Sequence, residues 1–226
     1  MSRIIIAIDG HSGCGKSSTA RAVARELGYT YVDSGAMYRA VTLYFLDHEV
    51  DPADAVAVAQ ALADIRIEFR RGTDGRSETW LNGENCETRI RDMRIAREVS
   101  RFSAIPAVRR SMVERQRAMG RDRGIVMDGR DIGTVVYPDA ELKIFLTASL
   151  DVRAQRRKLE LETQGLVADV EEIRSNLALR DEADSNRTES PLRKASDAIE
   201  IDTSDLLFKA QVEQVIGLAR VRANAR

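Results

Sequence analysis

Blocks of apolar and polar positions alternate along this chain, and the period of each block predicts an element. Ile4-Ile5-Ile6-Ala7-Ile8 is a continuous apolar run, the pattern of a strand buried on both faces of a parallel sheet. From Thr19 to Leu27 the apolar residues fall at helical spacing, and Gly28 offers a C-terminal cap. Tyr29 to Asp33 is β-branched and aromatic and reads as a second strand, followed by a helix over Ala40–Leu46. After Pro52 an Ala- and Val-rich helix is expected from Ala53 to Ala63. Strand, helix, strand, helix opens an α/β fold with a parallel sheet.

The period then shortens. Ile65–Phe69 and Glu78–Leu81 alternate apolar with polar residues, with turn residues at Gly72–Gly75 between them. Asn82-Gly83 leads to a third short strand around Asn85–Thr88. Three short antiparallel strands do not belong in a parallel sheet, so residues 65–88 are expected to form a small inserted subdomain. Arg-rich helices follow over Ile90–Phe102 and Ala107–Met119, with Pro106 opening the second. Further strands are expected at Gly124–Asp128, Leu142–Thr147 and Ala198–Asp202, and helices at Asp151–Thr163, Val170–Asp181 and Leu206–Val221. The expected organisation is one domain over residues 1–226, its core about 1–64 and 89–226.

Composition narrows this picture. The 226 residues are 43% hydrophobic, enough for a buried core, and no apolar run is long enough to span a bilayer. There is no basic-then-apolar leader and only two cysteines, which point to a soluble cytoplasmic protein without a disulfide framework. A net charge of −1 argues against a general nucleic-acid binder. Charge is uneven, however: Arg89 to Arg130 holds twelve Arg against five Asp or Glu. Most of these suit a solvated helix face, and a few suit a cleft for an anion.

Candidate chemistry begins where the first strand ends. Gly10-His11-Ser12-Gly13-Cys14-Gly15-Lys16-Ser17-Ser18 fits the phosphate-binding loop, Gly-x-x-x-x-Gly-Lys-Ser, between a strand and a helix. Glycines let main-chain N–H groups approach phosphates, and the helix N-terminus favours an anion. Lys16 can reach the β- and γ-phosphates of a nucleoside triphosphate such as ATP, and Ser17 can ligate Mg2+. The Asn-Lys-x-Asp signature of guanine-reading GTPases is absent. Arg39, Arg130 and Arg187 fall instead at strand ends and loops, where an α/β sheet gathers its ligands and where a kinase would hold a second, anionic substrate.

Three further stretches are Asp33-Ser-Gly-Ala-Met-Tyr-Arg39, Asp128-Gly-Arg-Asp-Ile-Gly-Thr-Val-Val136 with Pro138-Asp139-Ala140, and Arg180-Asp-x-x-Asp184-x-x-Arg187. Together with the loop they resemble the bacterial cytidylate kinase family, P-loop nucleoside monophosphate kinases, from about residue 4 to the end. The resemblance implies a P-loop NTPase-type sheet, an inserted NMP-binding subdomain at 65–88 and a mobile lid over about 151–187; the lack of long exposed apolar patterning points to a monomer. The resemblance also implies transfer of the ATP γ-phosphoryl to CMP or dCMP, in pyrimidine nucleotide metabolism. By the same resemblance Ser34 and Arg39 belong to the acceptor site, and Arg130 and Arg187 are further phosphate ligands. Ser100, Arg109 and Asp131 read the cytosine edge, Arg180 and Asp184 hold the ribose, and Tyr38 packs on the base. Of the lid residues Arg153, Arg156 and Arg157, one or more closes over the triphosphate; Arg157 joins Lys16, Arg130 and Arg187 as a catalytic candidate. The nearest alternative acceptors are uridylate and adenylate, and a nucleotide-dependent binding module with slow hydrolysis is the alternative of another class.

Several residues have plainer readings. Apart from the resemblance, Ser100 and Arg109 lie on ordinary helices as surface or packing residues. Asp184 alone is a helix-end charge. Asp128 ends a buried strand facing the loop and suits the magnesium shell with Ser17, whereas Asp9 suits a structural role beside the loop. Trp80 reads as subdomain core, and Tyr29 and Tyr31 as sheet packing. His11 stands where the family usually has Pro, and Cys14 where Ala or Ser is common. A thiol at a helix N-terminus is expected to be acidified, making oxidation of Cys14 a candidate inhibition.

Overall fold

The structure, a computed structural model, describes residues 2–72, 77–163, 165 and 167–225. By its internal contacts the chain divides into two compact units, residues 1–31 with 120–226, and residues 32–119. Each has its own sheet.

The first unit is built on β1 (Ile5–Gly10), buried at every position. Such a strand needs partners on both edges, and it has them. It pairs in parallel with β6 (Ile125–Gly129) on one side and β7 (Leu142–Thr147) on the other, with Ile6 opposite Val126 and Leu142. β8 (Ile199–Asp202) continues in parallel beyond β7. With β2 (Thr30–Asp33) the order of the five-stranded sheet is β2-β6-β1-β7-β8. Helices α1 (Lys16–Leu27) and α8 (Phe208–Asn224) carry Ala20, Val23, Val215, Ile216 and Ala219 into a core with Ile4, Ile6 and Ile8. Each fully buried Ile or Val contributes roughly 1.5–3 kcal/mol by leaving water. Helices α6 (Leu150–Thr163) and α7 (Val170–Asn186) form a smaller cluster through Ala154, Leu161, Ile173 and Leu177.

The second unit contains α2 (Ser34–Asp47), α3 (Ala55–Asp64), α4 (Met93–Ser103) and α5 (Pro106–Met119). Its sheet is β3 (Ile67–Arg71), β4 (Ser77–Leu81) and β5 (Glu84–Asn85), antiparallel with Ile67 opposite Leu81. Of the expected Gly72–Gly75 turn, residues 73–75 lie outside the described residues. Arg115 on α5 donates to the carbonyls of Leu62 and Ile65 at 2.9 and 2.8 Å, closing the C-terminus of α3.

Some boundaries differ from the sequence pattern, each for a local reason. Helix α2 begins at Ser34 rather than Ala40, because the Asp33 carboxylate accepts from the Ala36 N–H at 2.8 Å and caps it there. The helix expected over Ile90–Phe102 is interrupted: Arg89–Arg91 form a single 3₁₀ turn and Asp92 starts α4 afresh, accepting from the Arg94 N–H. Strand β5 stops at Asn85, whose side-chain oxygen takes the Glu87 N–H and turns the chain. Helix α7 runs on to Asn186, so Arg180 and Asp184 share one helical face and Arg187 follows at the extended C-cap. A π-helical turn over Ile132–Val136 had no periodic signal at all.

Candidate active site

Strand β1 ends at Gly10 because nothing larger fits. A Cβ there would stand 2.1 Å from the Leu146 carbonyl oxygen, and its φ of 145° lies where side chains are strained. The loop then returns into α1 through Gly15, a left-handed N-cap with no side-chain cap, and the first turn of α1 carries no acidic residue. The helix end is therefore left for an external anion.

Lys16 is buried and its Nζ donates to the His11 carbonyl at 2.5 Å. Burial, then the neighbouring Arg130 guanidinium, pull its pKa down. Ser17 donates to Asp128 Oδ2 at 2.8 Å, and Tyr31 donates to Asp128 Oδ1 at 3.0 Å, so Tyr31 does more than pack in the sheet. A hydroxyl beside a carboxylate is an all-oxygen donor set of the kind Mg2+ accepts alongside phosphate oxygens. Ser18 is exposed at the start of α1. Cys14 contradicts its sequence expectation as an oxidation target: its thiol is fully buried in the core and donates to the His11 carbonyl, out of reach of reagents.

The first unit also brings together Ser12, Arg130, Asp131, Asp184 and Arg187. Arg130 donates from Nη2 to the Ser12 hydroxyl at 2.6 Å and from Nε to Asp184 Oδ2 at 2.7 Å. Arg187 donates to the Ser190 carbonyl at 2.7 Å and lies 3.5 Å from Asp184 and 3.8 Å from Asp131. Burial opposes ionisation of Asp184, but Arg130, Arg187 and Arg180 outweigh it and hold the carboxyl below its ordinary range. Arg180 is half-buried on the same helix. The result is a cationic lining, prearranged beside the phosphate loop.

Asp9 takes the structural role expected of it. Its carboxylate accepts from the N–H groups of Ile132 and Gly133 at 2.8 and 2.7 Å, pinning the loop that carries Arg130 and Asp131. Burial pushes its pKa up to about 7, against the pull of those two N–H groups.

The three arginines expected in a lid divide. Arg153 is buried and committed, donating to the carbonyls of Ala148 and Ser12 and pairing with Asp181 at 2.6 Å. Arg156 donates to the hydroxyl and carbonyl of Thr203, whose hydroxyl also reaches the Cys14 carbonyl at 3.1 Å. Arg157, half-buried, is paired within its helix to Glu160 at 2.7 Å, a bond without the buried partners of the other two.

In the second unit, Ser34 is buried in the first turn of α2, with Tyr38 and Arg39 on the next. Asp33 is opposed by burial but held below its ordinary pKa by Arg91, 3.0 Å away, and by Arg39. Of its two plain readings, surface or packing, Arg109 takes the second. It is 2% exposed, its guanidinium stands 5.2 Å over the Tyr38 ring, and it donates to the Ser103 carbonyl. The Ser103 hydroxyl in turn donates to the Ser100 carbonyl, so Ser100, Arg109 and Tyr38 are one neighbourhood. Trp80 offers no free ring face toward Arg70, whose guanidinium covers it at 4.1 Å.

Sequence reasoning missed Asp181, Arg91 and Thr203. Arg91 was hidden among charged residues of similar appearance, and only the capping position of its partner Asp33 offered a signal.

The cytidylate kinase family model matches residues 6–221. A cytidylate kinase of Cytophaga hutchinsonii is 52% identical, covering 97% of this chain and 94% of that protein. One of Bacteroides thetaiotaomicron is 52% identical over 94% of this chain and 95% of its own. A bifunctional pantoate ligase/cytidylate kinase of Synechococcus sp. is 49% identical over 95% of this chain, which spans 40% of that protein.

Proposed function

The chain belongs to the cytidylate kinase family, and from that premise we propose that it transfers the γ-phosphoryl group of ATP to CMP and dCMP. Phosphorylation of a nucleoside monophosphate by a phosphotransferase is the family's activity; the donor, the deoxy substrate and the residue roles are our reading. The observation that carries it is the cationic set Arg130–Asp184–Arg187 bonded to Ser12 of an uncapped phosphate loop. A hydrolase or nucleotide switch has no use for anion-binding arginines beyond the triphosphate. A kinase needs them to hold the acceptor phosphate.

An acceptor phosphate is already an ionised nucleophile near neutral pH, so no strong base is required. Rate then comes from placement and from neutralising charge. Lys16 and the loop N–H groups take the ATP phosphates. Arg39, Arg130 and Arg187 take the acceptor phosphate, with Arg157 as the lid residue still available to the triphosphate. Ser34 belongs to the acceptor site, Ser100, Arg109 and Asp131 read the cytosine edge, Tyr38 packs on the base, and Arg180 and Asp184 hold the ribose. For Asp184 to reach a ribose it must share or release Arg130, and an arriving phosphate is the natural competitor for that guanidinium. Ser17 and Asp128 would hold Mg2+, which when bound offsets phosphate charge. We assign the three-stranded piece at 65–88 to the acceptor side, residues 151–187 to the lid, and the protein to the cytoplasm. Among the described residues no helix is long and apolar enough to cross a membrane.

ADP release in a coupled assay with MgATP tests this, offering CMP, dCMP, UMP and AMP separately. Rapid turnover with CMP and dCMP and little with AMP is expected. Equal rates with all four would remove the cytosine reading, and turnover independent of any acceptor would remove the kinase.

A further inference from the structure

One carboxylate in the first unit does work that none of the residues above accounts for. Asp181, on α7, lies 3.2 Å from His11 Nδ1, a side chain of the phosphate loop itself. Its other oxygen takes Arg153 Nη1 at 2.6 Å, and that same nitrogen donates to the Ser12 carbonyl at 3.2 Å. Arg153 also donates to the Ala148 carbonyl, just past β7, at 3.0 Å. Its Cβ lies 3.1 Å from where a side chain on Gly13 would begin, so the arginine is packed against the loop as well as bonded to it. Asp181 therefore reaches the loop at two consecutive residues: it lies against the His11 side chain without a hydrogen bond, and through Arg153 it holds the main chain of Ser12.

Asp184, one turn further along α7, reaches the same place by a parallel route. It holds Arg130, which donates to the Ser12 hydroxyl. Two Asp–Arg bridges from one helix thus end on the carbonyl and the hydroxyl of a single loop residue. Asp181 differs from Asp184 in being wholly directed at the loop: its described partners are His11 and Arg153. Burial opposes its charge, yet His11 and Arg153 keep it ionised.

We propose that Asp181 is a positioning residue for the triphosphate, holding the phosphate loop in its anion-binding shape through His11 and Arg153. It touches no substrate. Its effect is exerted on loop N–H groups that must point at phosphate oxygens, where a small misplacement weakens several charge-assisted bonds together. The inference rests on the phosphate-loop part of the proposed function and not on the identity of the acceptor.

The test is equilibrium binding of MgATP and, separately, of CMP to the full chain, by calorimetry, with Asp181→Asn, Asp181→Glu and Asp151→Asn. Asp151 supplies the control. It joins α6 to α7 through Arg174 at 2.8 Å without contacting the loop. Asp181→Asn is expected to weaken MgATP about tenfold while leaving CMP within about twofold, and Asp181→Glu to recover part of the loss. Asp151→Asn is expected to bind both as the original chain does. Unchanged MgATP affinity in Asp181→Asn would overturn the proposal, and so would equal weakening of MgATP by Asp181→Asn and Asp151→Asn, which would mean simple helix packing. Should Asp181→Asn fail to fold, Arg153→Lys is measured instead. It keeps the charge but loses the planar group whose Nε–H bond to the Ala148 carbonyl fixes Nη1 between Asp181 and the Ser12 carbonyl, and undiminished MgATP affinity there would equally overturn the proposal. An original chain that bound MgATP but not CMP would sink the acceptor reading alone and leave this test intact.

Discussion

Two junctions in this molecule have the same outline, a strand running through a turn into the N-terminus of a helix, and they are put to opposite uses. At the end of β1 the helix N-terminus has no side-chain cap and no acid in its first turn. At the end of β2 the helix N-terminus is filled by the protein's own anion, Asp33, which accepts from Ala36 and holds Arg91. Both satisfy the same physical need, since exposed N–H groups and a positive dipole end require negative charge. The first junction leaves that need unmet by any side chain, which is why we propose it for the triphosphate, and the second meets it internally.

The largest effect should come from the first junction. Lys16→Ala is expected to lower turnover by about 10³-fold or more with the fold retained, measured as acceptor-dependent ADP release. A loss of tenfold or less would mean that the uncapped N-terminus is not where the triphosphate goes. Next comes the acceptor side: Asp131→Ala should reduce kcat/KM for CMP by roughly 10²-fold while MgATP affinity holds, narrowing the margin over UMP. Equal losses for every nucleotide would place Asp131 in the framework instead.

The second junction predicts a stability effect. Asp33→Ala removes a helix cap and leaves Arg91 without that partner, which should cost about 1–3 kcal/mol in denaturant unfolding. A neutral result would break the contrast between the two junctions.

The smallest effect is a change of slope. Asp9 has an ordinary pKa near 3.8 that burial raises to about 7 in the folded chain. The folded state then holds more protons than the unfolded state between these values, so this group's contribution to stability falls as pH rises from about 4 to 7. Asp9→Asn should remove that part of the slope, whatever it does to absolute stability, in unfolding curves taken across the range. An unaltered slope would show that Asp9 does not titrate there.

Much of this site could be read from the chain because its signals are local. The phosphate loop spans a few consecutive residues, and its glycines, lysine and serine each act within one turn of their neighbours. The Ile run of β1 and the helical spacing of α1 are equally short-range. Arg39, Arg130 and Arg187 could be suspected from their expected places at strand ends and loops, and Asp128 from its place near the end of an expected strand.

What sequence alone determined, then, is the α/β order of elements and the phosphate-loop pattern and residue types on which the proposed site rests. Tertiary structure decided who holds whom. Asp9 finds its N–H partners 123 residues away, and Arg153 reaches the Ser12 carbonyl across 141. Folding also sank Arg109 beneath Tyr38's neighbourhood and sealed Cys14 in the core, though neither residue's sequence surroundings differ from those of an exposed one. The reason is physical: a propensity or a period is a property of the next few residues, whereas burial and charge pairing depend on which distant segments the fold brings alongside.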